Sequence, residues 1–140
     1  MSGDSLSVRY ENWSNVNPVC SSIVKIAATV TLSAGISFVI SKACNYSPLY
    51  VKIWVITDLF NETAKALYNT VGVKYFNLQK HDILALRAAT LTVLDTASIV
   101  VLAASNVIGT TGIFVHSIFA ASTIYELVKK SMQAQSAVSV

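Results

Sequence analysis

The sequence alternates between long apolar segments and short polar ones, and its longest apolar stretch lies in the C-terminal half. From Thr96 to Tyr125, thirty consecutive residues include no Asp, Glu, Lys or Arg. A polar turn at residues 106–112 divides this region into two arms, residues 83–107 and 111–130. Each arm is close to the ~20 residues that a helix needs to cross ~30 Å of hydrocarbon. The pattern predicts a helical hairpin, which either spans a membrane or enters and leaves it by one face.

A second apolar segment, residues 19–43, precedes the hairpin. Its two charged residues, Lys25 and Lys42, lie near its ends, where long side chains can reach lipid headgroups. The segment is therefore predicted to be a single membrane-spanning helix. Small residues recur every four positions, a spacing that lets a neighbouring helix approach closely. The residues of this predicted helix-packing stripe are Ala27, Thr31 and Gly35.

Residues 48–71 have the pattern of an amphipathic helix, because apolar side chains repeat every three or four positions from Ile53 to Val71. Several charged residues interrupt the segment, and each would cost ~2.5–3.5 kcal/mol at the centre of a spanning helix. We therefore expect this helix to lie in the membrane interface. The residues expected to mark the interfacial helix are Lys52, Trp54, Phe60 and Lys65. The alternative is a fourth spanning helix inside a bundle, with its polar stripe turned inward.

The sequence as a whole predicts an all-α integral membrane protein with about three membrane helices and one amphipathic interfacial helix. Residues 18–130 form the helical membrane domain, residues 1–17 a polar N-terminal arm, and residues 131–140 a loose C-terminal tail. With three spans, eight of the ten Lys and Arg residues fall on one side, and Arg9 and Lys25 fall on the other. The positive-inside rule then predicts an outside N-terminus and an inside C-terminus. The kind of membrane is left open.

Composition supports a membrane location. The chain is 54% hydrophobic and 12% charged, whereas ordinary soluble domains have about 25% charged residues. So few charges cannot cover a surface that faces water, and the remaining apolar area must face lipid or other subunits. The net charge of +3 comes from scattered residues with no basic, aromatic-rich face. This pattern argues against nucleic acid and favours anionic lipid headgroups as partners.

The sequence contains no motif for catalysis, cofactor binding or metal binding. GxGxxG, GxxxxGK[ST], HExxH, GxSxG and paired-cysteine patterns are all missing. The two histidines are far apart and share no carboxylate at ligand spacing. We therefore expect a protein that is not an enzyme, with no cofactor and no metal.

Asp95 is the most informative single residue, because it lies in the middle of the first hairpin arm. A carboxylate there must be protonated, paired or turned into a bundle interior. Antiparallel arms around a turn near Gly109 would bring it beside the hydroxyls of Ser122 and Thr123. The hypotheses are a hydrogen bond between helices, a proton or cation site, and a pair with a partner's Lys or Arg. His116 would fall opposite residues 101–102 and is included in this intramembrane polar site.

Taken together, these patterns predict a structural or assembly subunit of a larger membrane complex or of a viral or organellar shell. Its expected partners are the lipid bilayer and other membrane subunits, in a homo- or hetero-oligomer. One alternative is an oligomeric channel or carrier subunit that uses Asp95. Another is a membrane-shaping protein, or one inserted into a host membrane, whose hairpin acts as a wedge.

Overall fold

The computed structural model describes residues 5–139, and all regular structure within this range is helical. The helices are α1 (Leu6–Val16), α2 (Pro18–Ala43), α3 (Leu49–Leu67), α4 (Val73–Phe76), α5 (Lys80–Ala104) and α6 (Thr110–Val138), with a π-helical turn (Tyr68–Gly72) after α3. Three of these helices, α2, α5 and α6, are long and apolar enough to cross a membrane. This confirms the predicted all-α membrane fold with three candidate spans.

Helix α3 lies alongside both α2 and α5 and runs antiparallel to α5. Near the start of α3, Tyr50 packs against Leu102 of α5. In the middle of α3, Thr57 contacts Ser98, and in the following π-helical turn Tyr68 contacts Thr90. The amphipathic helix thus follows a candidate span over its whole length. Polar residues of α3 thus face its neighbours, although α3 is not among the helices that are long and apolar enough to cross a membrane.

The turns at residues 44–48 and 105–109 lie at the same end of the bundle, which we call the turn end. One core cluster closes this end, in which Tyr50 and Leu102 pack with Ile108, and Tyr46 covers them. Consequently, α2 and α5 point in the same direction. The three-helix arrangement expected from sequence instead placed these two turns on opposite sides of the membrane.

The opposite end of the bundle, which we call the basic end, holds the start of α2, the start of α5 and the later turns of α6. A second cluster packs Ala88 and Leu91 of α5 against Leu127 of α6. Below it, the Ser131 hydroxyl donates to the His81 carbonyl at 2.7 Å. Of the ten Lys and Arg residues, only Lys42 and Lys52 belong to the turn-end half.

Both polar ends of the chain are more helical than the sequence predicted. The N-terminal arm, expected to be irregular, contains α1, and its Ser14 hydroxyl bonds that of Ser21 at 2.6 Å. The C-terminal tail, expected to be loose from residue 131, continues α6 to Val138. The residues of that extension, SMQAQSAV, include no Gly or Pro, so nothing in them ends a helix.

Asparagines, rather than glycines, end the helical segments. Asn45, Asn77 and Asn106 have φ values of 56°, 52° and 55°, and Asn tolerates this left-handed conformation better than other residues with a Cβ. Gly109 was expected to stop the first hairpin arm. Instead α5 ends at Ala104, and Gly109 precedes α6 with φ −87°.

Large apolar side chains remain exposed along the outer faces of α2 and α6. Leu32 and Val39 on α2 are 66% and 65% exposed, and Phe114 and Phe119 on α6 are 67% and 70% exposed. Helices α2 and α6 do not contact each other, since α3 and α5 lie between them. These apolar faces are suited to lipid or to another subunit.

Candidate functional site

Polar side chains of α3 tie it to both neighbouring helices at one level. The Thr57 and Ser98 hydroxyl oxygens lie 2.6 Å apart, and both residues are buried. One residue further on, the Asp58 carboxylate accepts a hydrogen bond from the Ser33 hydroxyl of α2. In a low-dielectric interior such bonds are needed, because an unpartnered polar group is costly to bury. The α3 segment is therefore fixed near its middle from two sides.

Asp95 completes this group, which we call the polar centre and which comprises Ser33, Thr57, Asp58, Asp95 and Ser98. Asp95 lies one helical turn before Ser98 and is half-buried. It therefore lies on the side of α5 that carries Ser98 and packs against α3. Within residues 5–139 the ion pairs are Lys65–Glu62 and His81–Asp82, so neither central carboxyl has a cationic partner there. Two neighbouring carboxyls in such a setting require a proton or a cation.

A lateral cleft of about 610 Å³ opens between α2 and α6 and has α3 as its floor. Because α2 and α6 do not touch, the cleft is open toward the surroundings of the bundle. Its wall is mostly apolar, but Asp58 contributes a carboxyl from the polar centre. The main lining residues are Ser33, Ser37, Tyr50, Trp54, Asp58, His116 and Phe119.

An aromatic cluster occupies the turn-end part of the cleft. The His116 Nδ1 atom lies 2.7 Å from the Gly112 carbonyl oxygen, which can only accept, so Nδ1 carries the proton. The other nitrogen, Nε2, is hydrogen-bonded to the Tyr50 hydroxyl at 2.7 Å. Trp54 stacks on the imidazole, with ring centroids 5.6 Å apart and an interplanar angle of 12°. His116 is thus a packed imidazole with both ring nitrogens hydrogen-bonded.

The indole N–H of Trp54 is buried and has no acceptor among the described residues. Trp54 precedes Asp58 by one helical turn, and both line the cleft. The floor of the cleft therefore combines a carboxyl with a buried donor that has no acceptor among the described residues.

The structure does not bring the predicted partners of Asp95 together. Ser122 and Thr123 lie on the exposed side of α6, and the Thr123 hydroxyl donates to the Phe119 carbonyl of its own helix. The expected contact assumed a turn centred near Gly109, whereas α5 ends at Ala104. Leu127, not Ser122 or Thr123, faces α5 in this part of the hairpin. Asp95 instead faces α3.

The other predicted site residues also have distinct positions. All three residues of the stripe, Ala27, Thr31 and Gly35, are exposed, whereas the serines Ser33 and Ser37 are on the side of α2 that packs against α3. A methyl group added at Gly35 would have no neighbouring atom within 4 Å. Of the residues assigned to the interfacial helix, Trp54 packs on His116, Lys65 contacts Glu62, and Lys52 and Phe60 are exposed.

Sequence reasoning missed Asp58 and Tyr50 as site residues and assigned Trp54 to the interfacial helix rather than to this site, although a signal was present. Tyr50, Trp54, Thr57 and Asp58 recur at helical spacing and define one polar and aromatic face of α3. In a chain with so few polar residues, such a face indicates contact with other polar helices.

Comparison of the chain with protein-family models, with curated proteins and with solved structures returned no match.

Proposed function

We propose that this protein is a non-enzymatic integral membrane subunit that assembles with another membrane protein through its polar centre. The observation that carries the proposal is the pair Asp58 and Asp95, which have no cationic partner in the described chain. Intramembrane carboxyls are rare and are usually paired. A Lys or Arg from a partner helix would complete the pair, and removal of one member of such a pair is strongly destabilising.

The lateral cleft supports this proposal because it gives a partner a route to Asp58. It opens between two helices whose outer faces are apolar, so a partner helix would bury those faces as its basic side chain enters. Shape, apolar surface and charge are therefore complementary to a transmembrane helix that carries one cation.

The proposed orientation places all four long helices across the membrane, with the basic end inside. Asp58 faces Ser33 and the cleft, and Glu62 lies 3.8 Å from Lys65, so these α3 charges are not turned to lipid without a partner. Lys52 lies close to the start of α3 and can extend toward the headgroups. Eight of the ten Lys and Arg residues then lie inside, in agreement with the positive-inside rule.

The test is photo-crosslinking in native membranes with a benzophenone amino acid at Ile36, a cleft residue, and at Val93, which is 67% exposed on α5. We expect one defined adduct from position 36 and none of that mass from position 93. Asp58→Asn should abolish the adduct from position 36, whereas Asp58→Glu should retain it. Asp82→Asn changes a carboxyl outside the polar centre and should leave the adduct unchanged. Equal crosslinking from both positions, or insensitivity to Asp58→Asn, would refute assembly through the polar centre.

A channel or carrier function is the second candidate, and the proximity of Asp58 to Asp95 favours it. Neighbouring carboxyls at mid-membrane depth are typical of proton or cation relays. In this case Asp58→Asn and Asp95→Asn should abolish ion flux in proteoliposomes of the purified chain, because an amide cannot titrate. Assembly with any partner would remain intact. Loss of assembly without a flux phenotype would select the first proposal.

A further inference from the structure

A second cavity, of about 390 Å³, lies at the basic end between the last turns of α3 and the start of α5. Its walls include three cationic side chains, Lys65, Lys80 and Arg87, and two amides, Asn69 and Gln79. Among the described residues, no Asp or Glu lines it. We propose that this cavity binds the phosphate headgroup of an anionic phospholipid in the leaflet on the basic side.

The cations of the cavity are poorly neutralised by the protein. Lys65 has one acidic neighbour, Glu62, at the long distance of 3.8 Å. Lys80 and Arg87 form no ion pair with any residue from 5 to 139. The nearby Asp82 is already engaged, since it accepts the Gln79 N–H at 2.9 Å and contacts His81 at 3.2 Å. An anion is therefore the missing partner, and a guanidinium binds two phosphate oxygens at once.

The depth of the cavity matches the position of lipid phosphates. Ser98 marks the level of the polar centre, and Arg87 lies eleven residues before it on α5. At ~1.5 Å per residue this is about 16 Å, close to half of a ~30 Å hydrocarbon layer. Lys65 lies about 12 Å from Thr57 by the same measure, within reach of that boundary for its long side chain.

The cavity is a built feature of the fold rather than a gap between mobile ends. The π-helical turn leads the chain out of α3, and the Leu78 N–H then bonds back to the Gly72 carbonyl at 3.2 Å. Gly72 permits this return because a Cβ there would lie 2.6 Å from the Leu78 side chain. Leu78 and Leu84 give the cavity an apolar wall suited to the first part of an acyl chain.

The test measures lipid retention by the purified full chain in detergent, using native mass spectrometry. Phosphatidylglycerol, phosphatidylcholine and inorganic phosphate are offered separately. We expect phosphatidylglycerol to bind at least tenfold more tightly than phosphatidylcholine. Lys80→Gln with Arg87→Gln should weaken it roughly tenfold or more, the scale expected for two cations near a lipid surface. Lys129→Gln with Lys130→Gln removes the same charge at the same end and should change binding less than threefold.

Glu62→Gln provides a variant whose effect cannot come from misfolding. It frees Lys65 from its acidic neighbour, so phosphatidylglycerol should bind more tightly than to the unmodified chain. Equal losses in the two double variants would overturn the proposal, as would no gain in Glu62→Gln. Saturable binding of inorganic phosphate with no preference for phosphatidylglycerol would also overturn it, because the ligand would then be free phosphate.

Discussion

The Tyr50 hydroxyl is hydrogen-bonded to Nε2 of His116 at 2.7 Å, although the two residues are 66 positions apart in the chain. This bond joins α3 to α6 at the turn end. The other ring nitrogen of His116, Nδ1, donates to the Gly112 carbonyl of its own helix. The aromatic cluster therefore adds a polar contact between α3 and α6 to the hydrogen bonds that Thr57 and Tyr68 make with α5.

Removal of the Tyr50 hydroxyl should destabilise the protein without changing its fold. Tyr50→Phe leaves Nε2 of His116 unpartnered, and we expect a loss of about 1 kcal/mol in the free energy of unfolding. The measurement is unfolding in mixed micelles by titration with sodium dodecyl sulfate. Tyr125→Phe, at a position 64% exposed, is the matched control and should be neutral. Equal effects of the two substitutions would contradict a stabilising role for the hydrogen bond between Tyr50 and His116.

Gly112→Ala should be more destabilising than Gly35→Ala, the change at the other glycine within a long helix. A Cβ at Gly112 would lie 3.0 Å from the Ile108 Cβ and 3.1 Å from the Tyr46 hydroxyl oxygen. Overpacking of this kind costs about 1–3 kcal/mol. Gly35→Ala is the control, because nothing lies within 4 Å of its added methyl, and alanine favours a helix. The same denaturation assay should show that variant to be neutral or stabilised.

The hydrogen bond between Thr57 and Ser98 can be measured by a double-mutant cycle. Thr57→Val and Ser98→Ala should show a coupling energy of about 0.6 kcal/mol and at most about 1.7 kcal/mol, the range of intramembrane hydrogen bonds. Thr57→Val combined with Thr92→Val is the control, since the Thr92 hydroxyl bonds its own helix at Ala88. Coupling in that control as large as in the test pair would mean that α3 does not lie against α5 in the membrane.

Cysteine accessibility in sealed vesicles separates the two membrane arrangements. Cys44 lies just after α2 and is exposed, and Ser105→Cys in a chain with both native cysteines replaced marks the other turn. If all four long helices cross, both positions label from the same side, because both turns lie at the turn end. Labelling from opposite sides would support the three-span arrangement with α3 in the interface. Cys20 and Ser136→Cys, near the basic end, should both label from the other side.

The single span and the hairpin could be predicted from sequence because their signal is local. An apolar run of sufficient length needs no knowledge of neighbours, and α2 begins within one residue of its predicted start. The position of α3 could not be predicted in the same way. The prediction of an interfacial helix treated each charged residue of α3 as if it would face lipid. In the structure, the Asp58 carboxylate accepts a hydrogen bond from Ser33, which lies 25 residues earlier in the chain.

The site was harder to predict than the fold because it depends on helix register. Asp95 was expected to need polar surroundings, and the choice of Ser122 and Thr123 as its partners rested on where the hairpin turns. Asn106, not Gly109, adopts the left-handed conformation beyond α5. A shift of a few residues in a helical hairpin rotates a different face toward its neighbour, so the predicted partners fell on the exposed side of α6.

The two turns at the turn end carry a consequence for biosynthesis. Residues 44–48 read CNYSP and residues 105–109 read SNVIG, so neither turn holds a charged side chain. In the proposed four-span arrangement, each pair of helices would therefore enter the bilayer with an uncharged turn at its leading end. Polar but neutral tips avoid much of the penalty for moving Asp, Lys or Arg through hydrocarbon. The uncharged turns would then cross the bilayer, while the basic end stays on the side of the membrane on which the chain is synthesised.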